Sequence, residues 1–211
     1  MNTRMFRIVG LALIVVIGPS TVLHAQNQAD LKVATLFRES YALEAKGDYG
    51  AAAAKVREAR QASNSYFAVV RLAWLQYLAG DYTSSASSYT EAVALEPKAI
   101  EPKVGLTLPL LAGKKWKELD RACRDVLALD PMNVSAQARL AQALYWNSNY
   151  ADSAATYQKL TAAYPSNLDY KTGLGWALLK QGRTADARQL FQVVLAVSPD
   201  NPSAKEGMAV K

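Results

Sequence analysis

The side chains most suited to chemistry are sparse in this chain, which has one histidine, His24, and one cysteine, Cys123. Histidine is the usual general acid or base near neutral pH, and a cysteine nucleophile needs a neighbouring base or cation. His24 lies within the first 25 residues, which have the pattern of a cleaved signal, so the remaining chain has no imidazole. Serine, cysteine and zinc hydrolase mechanisms built on histidine are therefore excluded. We expect Cys123 to be a small buried apolar residue.

Carboxylates are the other candidates for catalysis, and they show no informative spacing. Glu39, Glu44 and Asp169 fall on predicted helices, but no pair of them favours acid/base work over solubility. The sequence therefore predicts a protein that is not an enzyme, with no catalytic residue, no cofactor and no metal site. Aromatic rings and arginines remain, and these side chains are enriched at binding hot spots.

The N-terminal segment predicts export. Arg4 and Arg7 precede an apolar run at residues 8–17, and a short segment ending at Ala25 follows. About ten apolar residues are too few to span a bilayer, which needs about 20, so we favour a signal peptide at residues 1–25 over a retained anchor. The mature protein would be periplasmic or secreted, without stable membrane insertion. The formal charge of +6 falls by two with this segment and has no long runs, which argues against nucleic acid as a partner.

The rest of the chain repeats with a period of 34 residues. Three columns keep this interval. They are Pro97, Pro131, Pro165 and Pro199; Tyr82, Trp116 and Tyr150; and Tyr89, Cys123, Tyr157 and Phe191. Each unit predicts two helices, because apolar residues recur at helical spacing before a turn and proline ends the unit. The Gly-Asp-Tyr stretches at 47–49 and 80–82 predict that turn, with glycine giving backbone freedom and tyrosine starting the second helix.

At these residues the chain resembles the tetratricopeptide repeat family. Leu72-Ala73, Gly80-Asp81-Tyr82, Tyr89, Ala92 and Pro97 fill the family pattern in one unit, and residues 174–199 fill it in another. The resemblance implies an all-α, right-handed superhelical solenoid of about five helix-turn-helix units whose first helices line the concave side. The array would occupy residues 26–211, with units at about 33–65, 66–99, 100–133, 134–167 and 168–199 and a capping segment at 200–211.

Two places depart from the pattern. Pro102 fits a first helical turn, whereas Pro109 predicts either a kink or a shortened helix, with Gly105 easing the clash. At the end of the array, Asn201 and Pro202 predict one short capping helix. Because this cap is short, we expect the apolar face that includes Leu190 and Val194 to be incompletely covered, which favours self-association or a partner at the C-terminal end.

The predicted binding surface is the concave face. Trp74 lies about 150° from the packing stripe of its own helix, so it is hard to place in the core. The matching positions in the other units, together with those three residues before and after them, place rings beside arginines in several units. The predicted partner-binding residues are Arg38, Tyr41, Arg71, Trp74, Tyr77, Arg139, Tyr145, Trp146 and Trp176.

Three interpretations of this surface stay open. The residues could form a groove for a segment of a partner protein, or a glycan site, or the rings could pack against neighbouring helices while the arginines are solvated. The asparagines of the family's carboxylate-binding grooves are missing at the matching positions, so that ligand is not carried over. The sequence favours a non-enzymatic protein-protein interaction scaffold of the cell envelope. The alternative is a glycan-binding accessory protein in cell-wall or exopolysaccharide handling.

Overall fold

The computed structural model describes residues 19–63 and 65–210, and these residues form eleven helices and no strand. This confirms the predicted all-α class. The helices are α1 (Pro19–Glu44), α2 (Tyr49–Ala62), α3 (Tyr66–Leu78), α4 (Tyr82–Leu95), α5 (Glu101–Ala112), α6 (Trp116–Leu129), α7 (Val134–Trp146), α8 (Tyr150–Ala163), α9 (Leu168–Lys180), α10 (Thr184–Val197) and α11 (Pro202–Ala209).

Each helix packs against the next one along the chain, so the array consists of five helix pairs and the final helix α11. Successive first helices also touch, α3 with α5, α5 with α7 and α7 with α9. The second helices of neighbouring pairs make no comparable contact among the described residues. The stack therefore curves with its first helices on the inner, concave side, and this side carries the predicted binding residues.

The Gly-Asp-Tyr turns have the predicted geometry. Gly47 and Gly80 adopt positive φ angles of 77° and 79°, which glycine reaches without strain. The aspartates have a role that the sequence analysis missed. Asp48 and Asp81 each accept a hydrogen bond of 3.1 Å from the backbone of the following helix, at the nitrogens of Ala51 and Ser84. Both therefore satisfy an N–H group that has no partner within its helix.

The core runs along the stack and is built largely of small residues between the paired helices. Ala52, Ala73, Ala92 and Ala187 are completely buried, so the helices approach closely. Cys123 is also completely buried, as predicted. Burial raises the pKa of its thiol to about 12, so Cys123 is a packing residue without nucleophilic character.

Helix α5 passes through Pro109 without ending there. Pro102 occupies the first turn, as predicted, and Pro109 lies buried inside the helix. The helix has twelve residues, against thirteen in α3 and α7, but it ends at the matching position and its missing residue is at the N-terminal end, so Pro109 does not shorten it.

The predictions for the two ends of the array concern the signal segment and the C-terminal cap. The predicted signal falls mostly on residues 1–18, outside the described residues, and α1 runs through the expected cut after Ala25. None of the described helices is long and apolar enough to cross a membrane. At the other end, Asn201 caps α11 by accepting a 2.9 Å hydrogen bond from the nitrogen of Ala204, as predicted. Val194 is completely buried, so the last pair is covered better than its sequence suggests.

Candidate functional site

The concave face has two depressions that bring predicted residues together. The N-terminal cleft has a volume of about 180 Å³ and the C-terminal groove one of about 680 Å³. The N-terminal cleft is lined by Tyr41, Tyr66, Phe67, Val70, Arg71, Trp74 and Glu101. The C-terminal groove is lined by Gln142, Tyr145, Trp146, Ser148, Tyr150, Tyr157, Thr172, Gly173, Trp176, Lys180, Ser203 and Glu206. Of the other predicted residues, Arg38, Tyr77 and Arg139 line neither depression.

In the N-terminal cleft, Arg71 is bound by the protein itself. Only 7% of its surface is exposed. Its guanidinium donates a 3.0 Å hydrogen bond to the hydroxyl of Ser40 and forms a 2.9 Å ion pair with Glu44. The same group lies 3.4 Å above the ring centre of Tyr41, at cation–π distance. Arg71 is thus neither solvated nor open to a partner, because its guanidinium binds the first helix of the preceding pair through one terminal nitrogen and its Nε is buried without a hydrogen-bond partner.

The aromatic residues of the N-terminal cleft keep more exposure. Trp74 is 36% exposed, and its indole nitrogen donates a 2.9 Å hydrogen bond to Glu44. Its ring lies 5.7 Å from that of Tyr77, which is in turn 5.9 Å from Tyr82. Glu44 therefore organises this side of the cleft by holding both Arg71 and Trp74.

Arg139 repeats the arrangement of Arg71 two units further on. It is half-buried and donates a 2.5 Å hydrogen bond to the hydroxyl of Thr107, which occupies the position of Ser40 in its own unit. Burial lowers the pKa of Arg139 from its usual value. Arg38, on the first pair, is exposed. The two interior arginines are therefore links between neighbouring units.

Glycine replaces the arginine in the other units, for a packing reason that the sequence analysis missed. A Cβ atom on Gly105 would lie 2.3 Å from the ring of Tyr89, and one on Gly173 would lie 2.5 Å from the ring of Tyr157. Gly207 stands in the same relation to Phe191. A ring on the second helix of one pair thus requires glycine on the next first helix.

The opposite combination occurs where the second helix carries a smaller residue. Val56 precedes the unit of Arg71, and Cys123 precedes the unit of Arg139. The two positions are therefore coupled by volume, because densely packed interfaces do not accept two large side chains in the same place. In the sequence this coupling appears as two residues 15 or 16 positions apart, one on the second helix of a pair and the other on the next first helix.

The C-terminal groove lies where glycine leaves the inner surface open. Tyr157 packs over Gly173 and lines the groove. Burial, with the nearby Tyr170 and Asp169, raises the pKa of Tyr157 to about 12, so its hydroxyl is neutral. Trp176 donates a 2.8 Å hydrogen bond from its indole nitrogen to Ser203 and is fixed on α9.

The rings of the groove stand at steep angles to one another. Tyr145 is nearly perpendicular to Trp146, at 89° and 5.3 Å between ring centres, and lies 5.5 Å from Tyr150 at 64°. Trp146 is 55% exposed and stacks on Trp116 at 5.5 Å and 13°. Stacking holds this large exposed ring in one orientation. The groove is therefore a rigid, ring-walled depression.

The carboxylates are placed for structure and solubility. Glu39 forms a 2.7 Å ion pair with Lys55, Glu44 is held by Arg71, and Asp169 is exposed. Within residues 19–63 and 65–210, no group of three or more histidine, cysteine, aspartate or glutamate side chains is arranged to hold a metal ion. The chemistry that the concave face offers is recognition by rings, hydroxyls and a few charges.

The curved stack of helix pairs with a ring-lined inner face defines the chain as a helical-repeat binding scaffold. A family model described as a tetratricopeptide repeat matches residues 120–167 and 138–202. This match identifies tetratricopeptide repeats in residues 120–202, and the solved structures of tetratricopeptide repeat proteins share the fold over most of the chain. Such proteins are generally scaffolds without catalytic activity. No curated protein matches the chain.

Solved structures share the right-handed solenoid fold at low sequence identity. A tetratricopeptide repeat protein from Parabacteroides merdae is 17% identical, with a TM-score of 0.76 over 85% of this chain and 72% of that one. MamA from Desulfovibrio magneticus RS-1 is 17% identical, with a TM-score of 0.74 over 81% and 97%. YrrB, described as a tetratricopeptide repeat protein with an unusual peptide-binding site, is 12% identical, with a TM-score of 0.76 over 92% and 99%.

Proposed function

We propose that this chain is a non-enzymatic scaffold of the cell envelope that holds a segment of a partner protein on its concave face. The observation that carries the proposal is the C-terminal groove, where five rings surround a space of about 680 Å³. Binding sites are typically depressions of about 300–1,000 Å³ with aromatic walls and a few polar groups. The N-terminal cleft, with Tyr41 and Trp74, provides a smaller second contact.

The peptide-binding site in the description of YrrB supports a protein ligand, since that structure shares the fold over most of both chains. The fold alone does not carry function. The rigid rings of the groove add the local argument, because they provide large contact area at little cost in conformational entropy.

Affinity capture tests the proposal. The mature chain, immobilised, is exposed to an envelope extract beside two variants, Trp146→Ala in the groove and Tyr164→Ala as a matched exposed ring outside its lining. We expect one discrete protein to be retained by the wild type and by Tyr164→Ala and to be lost with Trp146→Ala. Equal retention by all three would contradict the groove as the binding surface.

Export is the second part of the proposal, and it rests on Arg4, Arg7 and the apolar run at residues 8–17. Cleavage after Ala25 would leave Gln26 as the first residue. The described burial of α1 begins later, at Leu36 and Ser40, so the mature chain keeps its packing. The intact mass of the protein from a fractionated envelope tests this. A mass that includes residues 1–25 would contradict cleavage.

A glycan ligand is the alternative, and the stacked pair of Trp116 and Trp146 favours it. The two rings are stacked and nearly parallel, and Trp146 stays more than half exposed, so its ring offers a flat surface of the kind that sugar faces bind. Tryptophan fluorescence with peptidoglycan fragments and soluble polysaccharides tests it. A saturable change that Trp146→Phe reduces would support the glycan, whereas no response would leave the protein partner.

Self-association through the C-terminal end is a further part of the proposal. The stack ends in α11, which has eight residues, and Val210 beyond it is 38% exposed. Sedimentation velocity over a wide range of concentration tests this contact. A mass that stays monomeric throughout would contradict it.

A further inference from the structure

We infer that the C-terminal groove binds a positively charged side chain of the partner segment, a lysine or an arginine, between its aromatic rings and the carboxylate of Glu206. This inference names the chemistry of the partner and rests on the proposed function. It follows from the orientation of the rings, the charges beside them and a matching arrangement elsewhere in the chain.

The orientation of the rings suits a compact cation. Aromatic faces carry negative potential and attract ammonium and guanidinium groups. Tyr145 stands nearly perpendicular to Trp146 and at 64° to Tyr150, so these rings form walls at different angles. Tyr157 and Trp176 line the same space. Walls at steep angles enclose a small charged group better than they support the flat face of a sugar.

The charges that act on the tyrosines of the groove are negative. Burial first, and then Tyr150 and Glu206, raise the pKa of Tyr145. Asp169 contributes in the same direction at Tyr157, after burial and Tyr170. Both carboxylates therefore lie close enough to favour a cation beside these rings. Glu206 lines the groove itself and is exposed.

Lys180 is the one cation among the residues that line the groove, and its position at the end of a helix gives it a structural role. It is the last residue of α9, where a positive charge interacts favourably with the carbonyl end of the helix. It is exposed, and its long stem lets the ammonium stay in water at the rim.

The N-terminal cleft shows what a ring and a carboxylate bind on this face. There the guanidinium of Arg71 lies over the ring of Tyr41 and pairs with Glu44. In the C-terminal groove the position of Arg71 is Gly173, so the chain supplies rings and a carboxylate without a cation at this position. The partner supplies that cation.

Selection from a library of random dodecapeptides, with removal of peptides that also bind Trp146→Ala, tests the inference and separates it from the proposed function. We expect the enriched peptides to share a lysine or an arginine. Enriched peptides without a shared basic residue would overturn the inference and leave the proposed function standing. If no peptide depends on Trp146, both fail.

Titration of the best selected peptide then tests the charge itself. We expect the dissociation constant to rise about tenfold when its basic residue becomes citrulline or norleucine, and also with Glu206→Gln. Glu118→Gln is the control, because Glu118 is an exposed carboxylate on α6 that lines neither depression, and we expect less than a twofold change. Equal binding of the neutral peptide, or of Glu206→Gln, would overturn the inference.

Discussion

The N-terminal cleft and the C-terminal groove occupy equivalent places in the repeat, yet the chain fills one and leaves the other open. In the first, Arg71 is 7% exposed and bound to Ser40 and Glu44. In the second, Gly173 exposes the ring of Tyr157 to a space of about 680 Å³. In these two units, the residue at one position of the first helix decides whether an arginine links the unit to its neighbour or the inner surface stays open.

That position is set by the second helix of the preceding pair. Val56 leaves room for Arg71, whereas Tyr157 takes the space that a side chain on Gly173 would need. A change at either position should therefore be tolerated only with its counterpart. The repeat pattern itself stays intact in both cases, so the inner surface varies without a change of fold.

The largest effect is expected from Gly173→Arg, which makes the groove resemble the cleft without making room for it. A side chain at 173 collides with the ring of Tyr157, and the guanidinium meets no hydroxyl, since Ala141 stands where Ser40 does. We expect a loss of about 3–5 kcal/mol in the free energy of unfolding. The urea midpoint, followed by circular dichroism, measures it.

Two compensating changes test the same coupling between positions 157 and 173 more directly. Adding Tyr157→Val and Ala141→Ser to Gly173→Arg copies Val56 and Ser40, and we expect it to recover at least half of the loss. A triple variant no more stable than Gly173→Arg would contradict the coupling between the two positions.

Replacement of Arg71, which links two neighbouring units in the N-terminal cleft, should have the next largest effect. Arg71→Met keeps much of the side-chain volume but leaves Glu44 without its ion pair and Ser40 without its hydrogen bond. We expect a cost of about 2–3 kcal/mol, below that of a fully buried pair because Glu44 is partly exposed. Arg38→Met, at an exposed position, should cost less than about 0.5 kcal/mol. Equal effects of the two changes would show that Arg71 does not hold the units together.

The capping of the second helix is also stronger near the N-terminal cleft than near the C-terminal groove. Asp81 accepts a hydrogen bond from the nitrogen of Ser84, whereas Asn149, at the matching place in the fourth pair, makes no side-chain cap bond. We expect Asp81→Ala to cost about 1 kcal/mol and Asn149→Ala a few tenths. Urea midpoints of the two variants measure the difference, and equal costs would contradict it.

The contribution of Asp81 should also depend on pH. Hydrogen bonds from Ser84 hold the pKa of Asp81 below its usual value. The carboxylate therefore stabilises the fold above its ordinary pKa of about 4, and this stability is lost as the pH falls through the lowered value. The difference between wild type and Asp81→Ala should shrink in acid. A difference that stays constant would show that the charged form is not favoured by folding.

A small effect on stability is also expected for Trp146→Ala in the open groove. Its ring is 55% exposed, and its described packing includes the stack on Trp116. We expect a cost below about 1 kcal/mol by thermal unfolding. A loss of several kcal/mol would place Trp146 in the structural framework and remove it from the binding surface.

The sequence predicted the fold well because the fold depends on local and periodic signals. The interval of 34 residues, the positive φ of Gly47 and Gly80 and the cap at Asn201 are all readable within one unit. The site was harder, since its residues interact across units. A helical wheel placed Trp74 away from the core of its own pair but gave no information on Glu44, its hydrogen-bond partner in the preceding one. Glu206 and Tyr157 belong to the groove only through the curvature of the stack.

Position-specific photo-crosslinking in cells tests most directly whether the open groove, more than the filled cleft, is the binding surface. A photoreactive phenylalanine replaces Trp146, Trp74 or, as an exposed control, Tyr164. The account predicts a discrete adduct from position 146, a weaker one or none from position 74, and none from position 164. An adduct from position 74 with none from position 146 would contradict it.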